Sequence, residues 1–477
     1  MKKAVIKIIV IIIFFGGAYQ LINKKGSDSN KAEQAKPNFI VIMADDLGYG
    51  DVGFNGSTEI PTPNIDRIAA NGIKFTNGYT SYSVCSPSRA GFITGRYQQR
   101  FGYERNIQYR PNDPNMGLPQ TEKTIPEVLG QVGYKSRIIG KWHLGAHISN
   151  HPMNRGFTSF FGHLGGGHKY FPEELTIKDS YSFSDEPMSY KTWIMKDHTP
   201  VEIKNYLTDE FSDNAVSFID KTQKDPFFLF VSYNAPHSPL QATEKYLSRF
   251  EHIKDPKRRT YAAMVSAVDD GVGKILDQLE AKGLNENTLV FFLSDNGGPE
   301  HANSSDNGVL REGKGSIYEG GNRIPFAMQW PGELSPMVYD YPVSALDLMA
   351  TFADLADAPL AKDRPLDGVN IIPYIQGKKK GSPHSTLYIR KFDGDFYSVR
   401  DGDLKLVTKE NNSVKELYNL SEDISEENDI AELYPQELIR LDSLRQKWDA
   451  ELIDPIFLGL MHTERYIQKR LNNKKRK

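Results

Sequence analysis

The sequence predicts an α/β fold: a large mixed, mostly parallel central sheet flanked by helices, followed by a small C-terminal subdomain of antiparallel sheet and helix. Three observations carry this expectation. Continuous apolar runs that end abruptly in polar residues recur at residues 37–44, 226–233 and 288–294, as in strands buried on both faces. Between them lie segments with apolar residues three to four positions apart, suited to helices that cover a sheet. Near residue 380 this alternation stops, and short strand-like runs separated by turn residues take over.

At the N-terminus, Lys2, Lys3 and Lys7 precede an apolar run from Ile8 to Phe15 and the small residues Gly16, Gly17 and Ala18. This is the layout of a secretory signal over residues 1–23. The run is well short of the roughly 20 residues that span a bilayer, but Leu21 and Ile22 extend it weakly, so a signal anchor is the alternative. Either way the folded part is expected to be exported: periplasmic, at the cell surface or secreted. Residues 24–36 are polar and read as a linker, and the main domain is expected over residues 37–380.

The first strand runs into Asp45-Asp46-Leu47-Gly48, the second into Asn234-Ala235-Pro236-His237 and the third into Asp295-Asn296-Gly297-Gly298. Polar groups at the carboxyl ends of such strands lie where open α/β sheets place ligands. Residues 261–282 carry Met264, Val268, Val272, Ile275 and Leu279 at helical spacing. After Lys378-Lys379-Lys380, strands are expected at 385–390, 396–400 and 404–408, with Asp401-Gly402 as the hairpin turn between the last two. Residues 423–452 read as an acidic loop and a helix with Leu438, Leu441 and Leu444 on one face. The C-terminal subdomain is placed at 381–455 and a basic tail at 456–477.

Composition bounds the chemistry. Hydrophobic residues make up 39% and charged residues 25% of the chain, ordinary for a globular protein. A net charge of −3 gives no field that would recruit nucleic acid, and no aromatic residue interleaves the basic end from Lys469 to Lys477. One cysteine, Cys85, cannot build a disulfide framework or a Cys-based zinc site. Any metal must therefore be held by oxygen or nitrogen ligands.

A lone cysteine is most often a small buried hydrophobe. Cys85, however, is flanked by Pro87, Ser88, Arg89, Gly91 and Thr94 rather than by an apolar period, which suits a turn entering a helix with Arg89 placed to face an anion. The stretch Cys85-Ser86-Pro87-Ser88-Arg89, followed by Thr94-Gly95-Arg96, resembles the signature of type I sulfatases of the alkaline phosphatase superfamily. Residues 133–143, Gly-Tyr-Lys-Ser-Arg-Ile-Ile-Gly-Lys-Trp-His, resemble that family's other signature. The resemblance spans roughly residues 37–452.

The resemblance implies that Cys85 is oxidised by a separate maturation enzyme to formylglycine (3-oxoalanine), whose hydrate is the nucleophile. Asp45, Asp46, Asp295 and Asn296 match the family's metal ligands, with calcium the usual ion and the residue made from Cys85 also bound. An all-oxygen set of this kind selects a hard divalent cation. Arg89 matches the residue that supports the formylglycine hydroxyl, and Lys141 and Lys314 match the residues that hold sulfate oxygens as compact point charges. His143 matches the base that collapses the covalent sulfate ester; on an extended segment it would share a face with Lys141. His237 matches the group that protonates or orients the leaving oxygen, together with Lys314. In residues 310–321 Glu312 stands where relatives commonly carry glycine, with Lys314 still in register.

Substrate recognition is expected in loops 101–118, 163–200 and 299–309, where Arg105, Arg110, His168 and His301 are candidate contacts. The glycine-rich stretch carrying His163 and His168 is either a sulfate or sugar contact or a plain turn. The expected function is hydrolysis of a sulfate ester on a carbohydrate, such as an algal polysaccharide of the ulvan or carrageenan type. Two alternatives are a phosphate or phosphonate ester hydrolase, against which His237 and the two lysines argue, and an inactive glycan-binding surface protein, against which the complete candidate set argues.

Overall fold

The three apolar runs become three adjacent strands in the middle of one sheet. The computed structural model describes residues 36–175, 193–221, 225–410 and 412–462; the expected signal or anchor, nearly all of the linker and the end of the basic tail lie outside the described residues. In chain order the strands are β1 (Asn38–Ala44), β2 (Ile73–Phe75), β3 (Gly78–Tyr79), β4 (Lys135–Lys141), β5 (Ser159–His163), β6 (Met195–Lys196), β7 (Thr199–Pro200) and β8 (Phe227–Ser232). They continue as β9 (Thr288–Ser294), β10 (Phe326–Gln329), β11 (Met337–Tyr339), β12 (Val343–Ser344), β13 (Thr386–Lys391), β14 (Phe396–Asp401), β15 (Leu404–Lys409) and β16 (Val414–Asn419).

Among the described residues the main sheet has ten strands in the order β11-β2-β10-β9-β1-β8-β4-β5-β6-β7. The run β9-β1-β8-β4-β5 is parallel throughout, whereas β10 pairs antiparallel with β9 and β2, and β6 and β7 close the far edge antiparallel. The sheet is therefore mixed, with a parallel heart. Every residue of β1, β8 and β9 is buried.

Side chains of β1 alternate between two cores, as strand geometry requires. Phe39, Val41 and Met43 face a cluster with Phe228, Phe291, Phe92 and Phe352, where the Phe352 ring stacks on Phe39 at 4.4 Å. Ile40, Ile42 and Ala44 face the other cluster, which includes Met264, Val268, Val272 and Ile275. The helix Pro256–Ala281 supplies those four residues. It starts five positions before the apolar period because its first turn is polar, Lys257-Arg258-Arg259; the start is set instead by Pro256 and by Asp255, whose carboxylate accepts from the Lys257 N–H at 2.9 Å.

The C-terminal sheet is antiparallel in the order β13-β14-β15-β16, with Gly402 at φ 61° in the turn between β14 and β15. β16 was not foreseen: of its six residues only Leu417 and Tyr418 are buried, so it carries little apolar alternation. The helix Pro435–Asp449 covers this sheet, with Leu441 buried against Val399, Leu406 and Leu417, and Leu438 and Leu444 packed alongside.

His384, just before β13, places Nε2 2.7 Å from Asp347 Oδ1, and Asp347 also accepts from the Ser344 and Val369 N–H groups. Burial alone would lower the His384 pKa, but the Asp347 carboxylate outweighs it and the net shift is upward from 6.5. A histidine whose folded pKa is raised contributes stability that is full below its unfolded value and is lost as pH rises through the folded value. We therefore expect the stability difference between wild type and His384→Gln, measured by urea unfolding, to shrink as pH rises from about 6.5 into the alkaline range. A difference that stays constant over that range would exclude the ion pair as its source.

Candidate active site

Five parallel strands, β9, β1, β8, β4 and β5, present their carboxyl ends to one place. Asp45 and Asp46 follow β1, and Asp295 and Asn296 follow its neighbour β9; the Asp295 N–H donates to the Ala44 carbonyl at 3.1 Å, which brings the two polar pairs together. Ligand atoms of Asp45, Asp46, Asp295 and Cys85 all lie within 4.8 Å of one another, and all four residues are buried. Asp46 holds a left-handed backbone, φ 65°, a conformation that costs a non-glycine residue free energy and recurs at functional sites.

Cys85 is the first residue of the fully buried helix Cys85–Thr94. Pro87 falls within the first turn, where a missing N–H leaves no helical bond unmade. Arg89, one turn on and so on the same face as Cys85, donates through Nε to Asp295 Oδ2 at 2.8 Å and through Nη1 to Ser232 Oγ at 2.5 Å. Ser86 Oγ donates to the His143 carbonyl at 2.7 Å. Burial pushes the Cys85 thiol up to about 12 despite the nearby Lys141 and Lys314, so an unmodified Cys85 is a neutral thiol rather than a reactive thiolate.

Lys141 ends β4 and pairs with Asp45 Oδ2 at 2.6 Å, with both side chains wholly buried. Burial would raise the Asp45 pKa, but Lys141, backed by His237, Arg89 and Lys314, holds it well below the usual carboxylate range. Asp295 moves the other way, to about 6, because burial and repulsion from Asp45 outweigh Arg89. Lys314 reaches Asp46 Oδ1 at 2.6 Å and Cys85 Sγ at 3.1 Å. His237 Nε2 is 3.6 Å from Asp46 Oδ2. The Lys314 and His237 side chains keep 16% and 14% exposure while Lys141 and Asp45 keep none, so the cluster meets solvent on the side of Lys314 and His237.

The expected extended segment from Lys141 to His143 is not extended. His143 has φ 57°, in the left-handed region, because the chain turns sharply as it leaves the strand. The turn rather than strand alternation brings His143 to the cluster, where burial and then the Lys141 and Arg89 charges depress its pKa well below 6.5. Its Nδ1 is buried without a partner.

The residues fit a divalent cation. Three carboxylates converge, and Asn296, while donating through Nδ2 to Asp46 Oδ1 at 2.7 Å, keeps its Oδ1 buried and unpartnered. An oxygen-rich set of this kind suits a hard ion.

A protein-family model described as Sulfatase matches residues 37–358. The chain belongs to the sulfatase family. Among curated proteins it is 31% identical to an uncharacterised sulfatase, YdeN, of Escherichia coli strain K12, over 84% of this chain and 83% of that one. It is 35% identical to human N-acetylgalactosamine-6-sulfatase, over 73% of this chain and 67% of that one. Among solved structures it is similar to Ps i-CgsB in complex with k-i-k-neocarrahexaose, at 38% identity and a TM-score of 0.84, covering 92% of this chain and 98% of that one. It is a sulfuric ester hydrolase with the alkaline phosphatase-like fold of that family.

Not all candidate contacts of this sulfatase join the cluster. His168 is buried, its ring 4.9 Å from that of His163, with Nδ1 on the Lys169 carbonyl at 3.0 Å. Arg105 turns away, its guanidinium held by Asp393 at 2.7 Å and by the Phe457 carbonyl at 3.0 Å. Arg110 donates to Gln108 Oε1. His301 is exposed on a short helix, its carbonyl accepting from Lys257 Nζ. Ser232 was passed over; it receives Arg89 and donates to the Lys141 carbonyl at 2.7 Å. Its place as a polar residue near the end of the predicted run 226–233 was the available signal.

Glu312 adopts φ 58°, which explains why glycine suits this position. The left-handed conformation costs a side-chain-bearing residue about 1–2 kcal/mol, partly offset by the extra unfolded-state freedom of glycine and by the lost Glu312–Ser316 contact. Glu312→Gly is expected to raise the melting temperature by about 1–2 °C. A fall in melting temperature would show that the side-chain contact outweighs the backbone strain.

Proposed function

We propose that this sulfatase removes sulfate from a sulfated galactan, with Cys85 matured to formylglycine and a calcium ion held by Asp45, Asp46, Asp295 and Asn296. The observation that carries the reading is the convergence of Lys141, Lys314, His143 and His237 on Cys85 and the buried carboxylates. The carbohydrate assignment is supported by the similarity to Ps i-CgsB, whose structure contains k-i-k-neocarrahexaose. When present, formylglycine supplies a hydrate hydroxyl as nucleophile and calcium supplies Lewis-acid neutralisation of a sulfate oxygen.

The chain's own groups do the rest. Lys141 and Lys314 neutralise sulfate oxygens without the geometric demand of a guanidinium. His237 Nδ1 lies 2.6 Å from the Ser238 carbonyl, which can only accept, so Nδ1 carries a proton and Nε2 faces the site. Burial lowers the His237 pKa below 6.5, and Asp45 and Asp46 offset this only in part; the protonated form, stabilised by those carboxylates, would deliver the Nε2 proton to the departing alcohol. His143, whose pKa is lowered by burial and by Lys141, stays neutral at neutral pH and is free to take a proton. Export through the N-terminal signal and maturation by a formylglycine-generating enzyme complete the proposal.

The test is inorganic sulfate release from sulfated galactans and glycosaminoglycans by protein co-expressed with a formylglycine-generating enzyme. Release by wild type and a loss of more than about 10³-fold in Cys85→Ala is the expected outcome. No release from any glycan, with peptide mass confirming formylglycine, would instead favour a phosphate or phosphonate ester.

Calcium is checked separately by thermal unfolding. Ligand that binds only the folded state stabilises it in proportion to the logarithm of its concentration. Calcium added to chelator-treated protein should raise the melting temperature in a concentration-dependent way. An unchanged melting temperature up to millimolar calcium would remove calcium from the proposal.

A further inference from the structure

The segment between His163 and Tyr170 touches both histidines of the site from one side. At one end, the Trp142 N–H donates to the His163 carbonyl at 3.0 Å, which fixes the chain immediately before His143. In the middle, Gly166 lies against the His143 ring so closely that a Cβ there would sit 2.6 Å from Nε2 and 2.7 Å from Cε1. At the other end, the Tyr170 hydroxyl is shared between the carbonyls of Asn234 and His237, at 2.6 and 2.7 Å. The side chain of Asn234 is buried with neither amide atom partnered, so it is the backbone carbonyl, not the side chain, that is tied down.

Tyr170 is suited to act as a fixed post. It is wholly buried, its ring stacks on Tyr206 at 5.9 Å, its N–H donates to Gln241 Oε1 at 3.0 Å, and its carbonyl accepts from the Leu207 N–H at 2.9 Å. Leu164, at the start of the segment, is buried in the core on the opposite face of the sheet. The segment is thus pinned in both cores, and its glycines span the gap over His143.

We propose that this segment positions both histidines of the reaction, with Gly166 leaving room that fixes the His143 ring and Tyr170 holding the turn that carries His237. The inference rests on the assignment of His143 and His237 as proton-transfer groups. Neither Gly166 nor Tyr170 is a catalytic residue; each acts through its histidine. Small misplacement of a reacting group costs on the order of 10²-fold in rate, so removing one hydroxyl at Tyr170 should be visible in kcat.

The experiment compares Tyr170→Phe and Gly166→Ala with His143→Ala, His237→Ala and the paired double variants. Steady-state kinetics would use matured protein acting on a sulfated galactan oligosaccharide and on 4-nitrophenyl sulfate. Tyr170→Phe keeps the buried ring, and circular dichroism with a melting temperature checks that each variant is folded. Each single variant is expected to lose about 10- to 100-fold in kcat with KM within about twofold. The Tyr170→Phe loss should vanish in the His237→Ala background, and the Gly166→Ala loss in the His143→Ala background, because coupled residues are not additive. An unchanged kcat in folded single variants, or a loss that persists in full in the histidine backgrounds, would overturn the proposal. Full activity in His143→Ala and His237→Ala would instead overturn the histidine assignment on which it rests.

Discussion

Three short ion pairs at the carboxyl ends of the middle strands hold this site together: Asp45 with Lys141, Asp46 with Lys314, and Asp295 with Arg89. Each anion comes from the end of β1 or β9. Each cation comes from a different part of the chain: the end of β4, the loop after residue 310, and the helix that begins at Cys85. Leaving one member of such a buried pair without its partner costs about 3–5 kcal/mol. The balance explains why carboxylates can crowd within reach of one cation without expelling one another, and why the residues around Cys85 are fixed although their backbone segments are far apart in sequence.

The strand ends were legible because a parallel heart buries both faces of its strands and so writes them as unbroken apolar runs; where Phe39 to Ala44 stops, Asp45 must be at the edge of the core. Cys85 was legible because Pro87, Ser88 and Arg89 break every apolar period around it. What could not be read was anything set by a turn. His143 reaches the site through a left-handed backbone that alternation does not reveal. Arg105 looked like a free cation in a polar loop, yet Asp393, nearly three hundred positions later, takes it. Tyr170 reads as one more aromatic residue beside a glycine run, and only the tertiary fold shows its hydroxyl on two backbone carbonyls.

Environment rather than residue type separates the two histidines. His143 is sealed beside Lys141 and Arg89, so both burial and like charge oppose its protonation. His237 is also buried but faces Asp45 and Asp46, which oppose that effect, and it keeps some access to solvent. Both imidazoles are shifted toward the neutral form, but His237 has carboxylates beside it that favour its protonation, whereas His143 has cations that oppose it. Backbone strain accompanies the same positions. Asp46, His143 and Glu312 all take left-handed conformations within a few residues of the reacting groups, a cost that only the surrounding packing can hold.

The C-terminal sheet is part of this packing. Lys391, the last residue of β13, donates to the Gly315 carbonyl at 2.6 Å, one residue from Lys314. Lys405 of β15 is buried between Glu319 and Glu426, at 2.8 Å from each, and Glu319 begins the helix that follows the Lys314 loop. Tyr79 donates to the other oxygen of Glu319 at 2.5 Å and receives Arg400 of β14. The Lys314 loop is therefore gripped on both sides by charges that belong to the small sheet, and burial of those charges makes each contact costly to break. The Asp46–Lys314 pair thus depends on strands more than seventy residues downstream of its lysine. The small sheet serves the site through Lys314, which explains why a subdomain with no residue of its own among the converging carboxylates is bound to the large one by buried charge rather than by apolar contact alone.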